Sequence, residues 1–213
     1  MMKMSKEHDH LVMERDHMEK LYSSPNPIEK WYFNKRLNVS LGISEIMAKE
    51  KILDAGCGEG QFLSHLEKRY PAAQLWGADV TEVAIANAKK RTKATLSKQD
   101  ITDLNLYKDN FFDVTYCLDV IEHVKKYRKS LGEFKRVTKK PGKIVLAFPN
   151  DAVNMVARTI MLKFPPRVPD HVNQFTPGRM QKLLGLRLMK MRTLPLNLPF
   201  LLALWCVCVF ENK

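Results

Sequence analysis

The chain has 213 residues, 45% hydrophobic and 27% charged, with 35 Lys and Arg against 23 Asp and Glu and a formal net charge of +12. That is ordinary globular composition, long enough for one sizeable core and short for two full domains, and it excludes a mostly disordered or collagen-like chain. The basic excess points to an anionic partner, whether a small charged ligand, a nucleic acid or an acidic membrane surface.

Residues 1–24 read as a polar helix with a thin apolar stripe of Leu11, Met18, Leu21 and Tyr22. The run Ser23-Ser24-Pro25-Asn26-Pro27 stops it. His8, His10 and His17 fall on its charged surface, where a solvated face explains them better than a metal site does. This N-terminus lacks the apolar core of a signal peptide, so no leader is expected. A second helix, roughly Ile28–Met47, carries Trp31, Tyr32, Leu37, Leu41 and Ile46.

From residue 51 short apolar runs alternate with helical stretches, which is the pattern of βαβ units around a parallel sheet. Strands are predicted at Lys51–Ala55, Gln74–Asp79, Thr95–Gln99, Phe112–Leu118 and Lys143–Phe148, with helices at about 60–69, 81–92 and 126–138. Leu186–Thr193 and Leu201–Phe210 then form two strand-like runs whose short joint favours an antiparallel pair at the sheet edge. The uncharged run Leu194–Phe210 is interrupted by Pro195 and Pro199 and makes a poor membrane span. The four cysteines, Cys57, Cys117, Cys206 and Cys208, form no CxxC pair, which excludes a zinc ribbon and favours a reducing cytoplasm.

The sharpest local signal is Leu53-Asp54-Ala55-Gly56-Cys57-Gly58-Glu59-Gly60, at the end of one predicted strand and the start of a helix. Glycines there let the backbone turn tightly and approach a ligand. The spacing is G-x-G-x-G, not the G-x-G-x-x-G of dinucleotide binders, and Asp54 stands two positions before the first glycine. An acid in that place suits a cationic amino-acid ligand better than a pyrophosphate. Asp79 ends the second strand, where a carboxylate can accept both hydroxyls of a ribose, and Thr81 suits the cap of the helix that follows. Asp100 ends the third strand, where it can accept an adenine amine between Val80 and Ile101. Three strand ends with an acid apiece form one crevice at the carboxyl edge of the sheet.

In these residues the chain resembles the class I S-adenosylmethionine (SAM) dependent methyltransferases. LDAGCGEG is similar to their first motif, GADV to their second-strand acid and QDI to their adenine site. FFDVTYCLDVIEHV and PGKIVLAFPN are similar to their fourth and fifth strands, so the likeness covers about residues 50–150. It implies a Rossmann-like α/β fold with a seven-stranded, mostly parallel sheet in the order 3-2-1-4-5-7-6 and helices on both faces. It also implies an N-terminal helical arm over 1–47, a SAM-binding domain over 48–213 and an acceptor cap inserted at about 150–176. Within the superfamily, Asp119-Val120-Ile121-Glu122-His123-Val124 and His171-Val172-Asn173-Gln174-Phe175-Thr176-Pro177 resemble segments of the type 11 group and of ubiquinone-biosynthesis-like O-methyltransferases.

The resemblance implies SAM as cofactor and S-adenosylhomocysteine (SAH) as product. Gly56 and Gly58 then approach the methionine part, with Asp54 beside them. Asp79 takes the ribose, Asp100 with Val80 and Ile101 the adenine, Leu118 offers backbone contacts, and Arg36 pairs with the SAM carboxylate. His123, with Glu122 next to it, is a candidate general base for an acceptor hydroxyl, since an imidazole titrates in the right range. His171 is the second candidate, behind a proline-rich lid edge, Phe164-Pro165-Pro166-Arg167-Val168-Pro169. Asp119, Glu122 and His123 are spaced to share one helical turn, and matching trios in quinone-pathway relatives hold a divalent ion. No metal site is assigned here, and that trio stays a secondary alternative.

The expected acceptor is a small-molecule or lipid-like compound, methylated on O or N. The helix over 150–163 reads either as a buried packing element or as a greasy acceptor pocket or membrane-surface contact. A cytoplasmic protein, peripheral at the membrane in the second reading, follows. The alternative is an RNA or protein methyltransferase using basic clusters at Lys89–Lys93, Lys125–Lys129 and Lys135–Lys140. A SAM-binding scaffold without activity is the third reading.

Overall fold

The computed structural model describes residues 24–160, Leu162, Val168 and residues 170–213. The expected first helix, with His8, His10 and His17, and most of the proline-rich lid edge lie outside the described residues.

Helix α1 (Pro27–Ile43) starts where the sequence places it. The Asn26 side chain accepts from the N–H groups of Ile28 and Glu29, and Pro27 occupies the first helical position, where its missing N–H costs nothing. It ends at Ile43, short of the expected Met47, and Glu45 follows in the left-handed region. Seven strands follow: β1 (Lys51–Ala55), β2 (Gln74–Asp79), β3 (Thr95–Lys98), β4 (Phe112–Leu118), β5 (Thr138–Pro149), β6 (Arg187–Leu194) and β7 (Trp205–Asn212). The crossover helices are α2 (Gln61–Arg69), α3 (Glu82–Arg91) and α4 (Tyr127–Val137). α5 (Asp151–Ile160) follows β5, and α6 (Pro177–Leu184) precedes β6.

The sheet order is β3-β2-β1-β4-β5-β7-β6, as expected. β1 to β5 run parallel, whereas β7 pairs antiparallel with both β5 and β6. β5 is longer than predicted because its first residue, Thr138, pairs with Phe112 across a bulge. The last strand begins only at Trp205, since Phe200–Leu202 folds as a 3-10 turn.

The two-residue period of β5 divides the core. Ile144, Leu146 and Phe148 face α4 and α6 in a cluster with Leu131, Phe134, Met180 and Leu184. Val145 and Ala147 face the other layer, with Leu37 and Leu41 of α1 and Leu63 and Leu66 of α2. All four cysteines are buried and free. Helices cover both faces, and the expected site residues gather among the loops at the carboxyl edge of the parallel strands.

Candidate functional site

The glycine loop follows β1 through three left-handed residues, Gly56 (φ +84°), Gly58 (φ +50°) and Gly60 (φ +77°). The three glycines do different things. A Cβ on Gly56 would stand 2.5 Å from Val120 Cγ2, so that position is filled by the chain after β4. A Cβ on Gly60 would meet Ala88 at 3.0 Å, which is helix packing. At Gly58 nothing lies within 4 Å, so this is the face a ligand can approach. The N–H groups of Gly56 and Cys57 both donate to the Ala78 carbonyl at the end of β2.

Asp79 closes the loop. Its Oδ2 accepts from the Gly58 N–H at 2.9 Å, and its Oδ1 accepts from the Thr81 N–H and Oγ1 at 2.9 and 2.8 Å. Thr81 therefore does not cap α3 with its side chain, contrary to expectation; its hydroxyl turns back to Asp79. A carboxylate offers about four lone-pair sites, so three bonds leave room for a further donor. Asp100 lies past the end of β3 rather than in it, and its Oδ1 accepts from the Thr102 N–H at 2.8 Å. Val80 is half-buried, whereas Ile101 is packed into the core. Asp54 is buried within β1. Burial, followed by the nearby charge of Asp79, pushes its carboxyl up to about 7.

Beyond β4, Leu118 pairs with Ala147 and the Asp119 N–H donates to the Ala147 carbonyl at 3.0 Å. Asp119 is left-handed (φ +57°), and this turns its carboxylate toward β7 and α1. It accepts from Trp205 Nε1 at 2.6 Å and forms an ion pair with Arg36. The Arg36 guanidinium stacks 5.0 Å from the Trp205 ring centroid. Arg36 thus reaches the carboxyl edge, held by Asp119.

The expected helical trio of Asp119, Glu122 and His123 does not form. Ile121–His123 is a single 3-10 turn, and Asp119 stands before it with its carboxylate committed elsewhere. The group that does converge is Glu122, His123 and His171, with one ligand-capable atom of each within 4.8 Å of the others. The Glu122 carbonyl brings them together by accepting from the N–H groups of Val172 and Asn173 at 3.1 and 3.0 Å. The Asn173 side chain adds a bond to the Val124 carbonyl at 2.9 Å.

The two imidazoles lie edge to face, 5.0 Å between ring centroids. His123 Nδ1 donates to the Asp170 carbonyl at 3.0 Å, which leaves its Nε2 with the lone pair. Burial draws its pKa below the usual imidazole range, partly offset by that carbonyl. His171 Nδ1 donates to Asp151 Oδ1 at 2.6 Å, and both side chains are mostly buried. Glu122 is almost wholly buried, and one of its carboxylate oxygens has no hydrogen-bond partner. Burial, with Asp119 adding to it, pushes its carboxyl well above the carboxylate range.

Two site features escaped the sequence reading. Asp151 and Trp205 stand 20 and 86 residues from their partners, and nothing local marks either as part of a site. The apolar helix was also misread in its packing alternative: no residue of α5 is buried.

Residues 53–146 match the family described as a methyltransferase domain. An uncharacterized protein of Methanocaldococcus jannaschii is 37% identical over 100 residues, covering 46% of this chain and 40% of that one. The ubiquinone biosynthesis O-methyltransferase of Rickettsia akari is 25% identical over 173 residues, covering 75% of this chain and 65% of that one. Among solved structures, the N-methyltransferase NodS of Bradyrhizobium japonicum, in complex with SAH, superposes with a TM-score of 0.65 at 19% identity, covering 94% and 93% of the two chains. The chain spans 29% to 65% of the length of the first curated relatives it matches.

Proposed function

We propose that the chain is a class I SAM-dependent methyltransferase, a reading supported by the match of residues 53–146 to a methyltransferase domain, and that it methylates a hydroxyl of a small or lipid-like acceptor, with His171 as general base. The observation that carries this reading is the pairing of His171 with Asp151 beside His123, at the end of β4. Val120, which immediately precedes the 3-10 turn holding His123, packs against Gly56, and this contact supports reading the imidazoles and the glycine loop as parts of one site.

The residues fit the cofactor. The open side of Gly58 admits its methionine part, and Asp79 keeps acceptor capacity for a ribose hydroxyl. In this reading Asp100 would take the adenine, Asp54 the ammonium and Arg36 the carboxylate. When bound, SAM supplies a methyl already activated by its sulfonium, so the protein has only to orient the acceptor and remove its proton. With Nδ1–H held by Asp151, His171 presents Nε2 to the acceptor hydroxyl. The acceptor's proton would move to Nε2, and the Asp151 carboxylate would stabilise the imidazolium that results. His123, kept neutral by burial, positions the acceptor or shares the proton.

The RNA or protein alternative rests on the basic clusters. One of them is occupied internally: Lys135 donates to the Leu184 carbonyl, Arg136 pairs with Glu133 and Asp109, and Lys139 pairs with Asp113. The deciding experiment offers labelled SAM with cell lipid extract, total RNA and total protein in parallel. Label in the lipid or small-molecule fraction supports the reading, and label confined to RNA or protein overturns it. With the acceptor in hand, His171→Ala should lower turnover while SAH affinity stays near normal, and Asp79→Ala should weaken SAH binding. Turnover equal to wild type in both His123→Ala and His171→Ala removes the acid–base proposal.

A further inference from the structure

Of the basic clusters, Lys135–Lys140 is engaged within the fold, whereas Lys125–Lys129 stands at the carboxyl edge, directly after the 3-10 turn that holds His123. A second segment comes alongside it. Residues 123–132 and 171–186 together hold six Lys and Arg and no Asp or Glu. Four of the six stand around the start of α4, and Arg179 and Lys182 lie on α6.

Tyr127 is where the two segments meet. The Arg128 guanidinium lies 5.6 Å from its ring centroid and that of Arg179 5.9 Å. Arg179 also lies 5.3 Å from the Phe175 ring, and the rings of Tyr127 and Phe175 pack edge to face at 5.2 Å. Arg179 donates to the Gln174 carbonyl and, at 3.3 Å, to the Tyr127 hydroxyl oxygen. Among the described residues nothing accepts the proton of that hydroxyl. The bond from Arg179 holds the phenol below its ordinary range.

A solvated basic run spreads its side chains into water, but here guanidiniums from two helices are drawn onto one ring. Among the described residues no carboxylate pairs with either of them. The acid of α4, Glu133, is held by Arg136, and Glu122 is buried at the imidazole pair. Asp170 stands at that end too, where His123 donates to its carbonyl. The first turns of α4 and α6 also carry no acid. Like charges gathered at two helix starts repel, and an oxyanion bridging the two forks and the free phenol proton would offset the repulsion.

The position indicates where such an anion comes from. The segments run side by side: the Glu122 carbonyl accepts from Val172 and Asn173, the Asn173 side chain reaches the Val124 carbonyl, and Tyr127 meets Phe175. Phe175 is four residues from His171, at most about 14 Å of extended chain. The imidazoles stand at one end of this span and the guanidiniums at the other, and a single small molecule can cover it.

We propose that Tyr127, Arg128 and Arg179 form a subsite for the oxyanion, a carboxylate or phosphate, of an acidic acceptor. Its part in acceptor recognition rests on the methyl-transfer reading above; the binding of an oxyanion does not.

Inorganic phosphate is the probe for the subsite. It is titrated into the full chain and followed by NMR of the arginine Nε–H and Tyr127 ring signals, against potassium chloride at matched ionic strength. Phosphate should give saturable shifts that chloride does not. Arg128→Gln/Arg179→Gln should weaken phosphate at least about ten-fold. Tyr127→Phe, which keeps the ring against Phe175, should weaken it about three-fold. SAH affinity, measured by calorimetry, should stay within about two-fold of wild type in both, which reports an intact fold. Absence of a saturable shift in the wild type overturns the subsite, as does equal phosphate binding by the double variant.

The small-molecule fraction that takes label from SAM is then divided by anion exchange. Label in the retained, acidic compounds supports the assignment, and with such an acceptor the double variant should lose activity through KM rather than kcat. Label confined to neutral compounds overturns the assignment while methyl transfer stands. Saturable phosphate binding with no label in any fraction strikes the methyl-transfer reading and leaves the oxyanion site in place.

Discussion

His171 Nδ1 donates to Asp151 Oδ1 at 2.6 Å, joining the start of α5 to the segment before α6. The bond holds the imidazole in one orientation and one tautomer, with Nε2 as the basic nitrogen. Asp151→Asn removes the charge that stabilises the protonated ring and keeps the volume. The expected result is a fall in kcat on the order of ten- to a hundred-fold, with SAH affinity within about two-fold of wild type. Steady-state kinetics across pH, with calorimetry for SAH, checks it.

Asp54 makes folding and cofactor binding depend on pH. Its folded pKa, about 7, stands above an unfolded value of 3.8. Between those values the folded state keeps a proton that the unfolded state has lost, so stability falls as pH rises through the window and the loss is complete above pH 7. Three pKa units correspond to on the order of 4 kcal/mol. Urea unfolding of Asp54→Asn should show a shallower decline from pH 5 to pH 8 than wild type. A ligand ammonium beside Asp54 favours the charged form, so SAH should bind more tightly at pH 8 than at pH 6, and the variant should lose that dependence.

Gly58 and Gly56 are separable by mutation. Both have positive φ, but only Gly58 faces open space. Gly58→Ala should cost roughly 1–2 kcal/mol of stability from the left-handed backbone and weaken SAH at least about ten-fold, since its methyl enters the ligand's space. Gly56→Ala should unfold more easily still, because its methyl collides with Val120. Thermal melts with and without SAH distinguish the two outcomes.

Trp205 is nearly wholly buried, and its indole N–H meets the Asp119 carboxylate at 2.6 Å. Trp205→Phe leaves that acceptor one donor short and loosens the platform under Arg36. A loss of about 2 kcal/mol is expected for a hydrogen bond to a charged group, read as a lower urea midpoint, together with weaker SAH binding through Arg36.

The local pattern was legible where the physics is local. β1, β2 and β4 have the limits the alternation predicts, and the glycine loop turns as its composition requires. The strand ends at Asp79 and Leu118 follow from the same runs. Errors arose where a partner distant in sequence decides. β5 is extended by pairing with Phe112, and α5, which reads equally as a packing helix, buries no residue among those described.

The sequence by itself determined the order of elements and the acids at the strand ends, because period, turn glycines and strand length act over a few residues; the strand order of the sheet followed from the resemblance to known methyltransferases. Only the tertiary structure decided which side chains meet there. It drew Asp119 away to Arg36 and Trp205, and it put His171 in the place expected of Asp119. The reason is that two backbone bonds to the Glu122 carbonyl close a loop of about 50 residues, and no local pattern records which carbonyl a distant N–H will find.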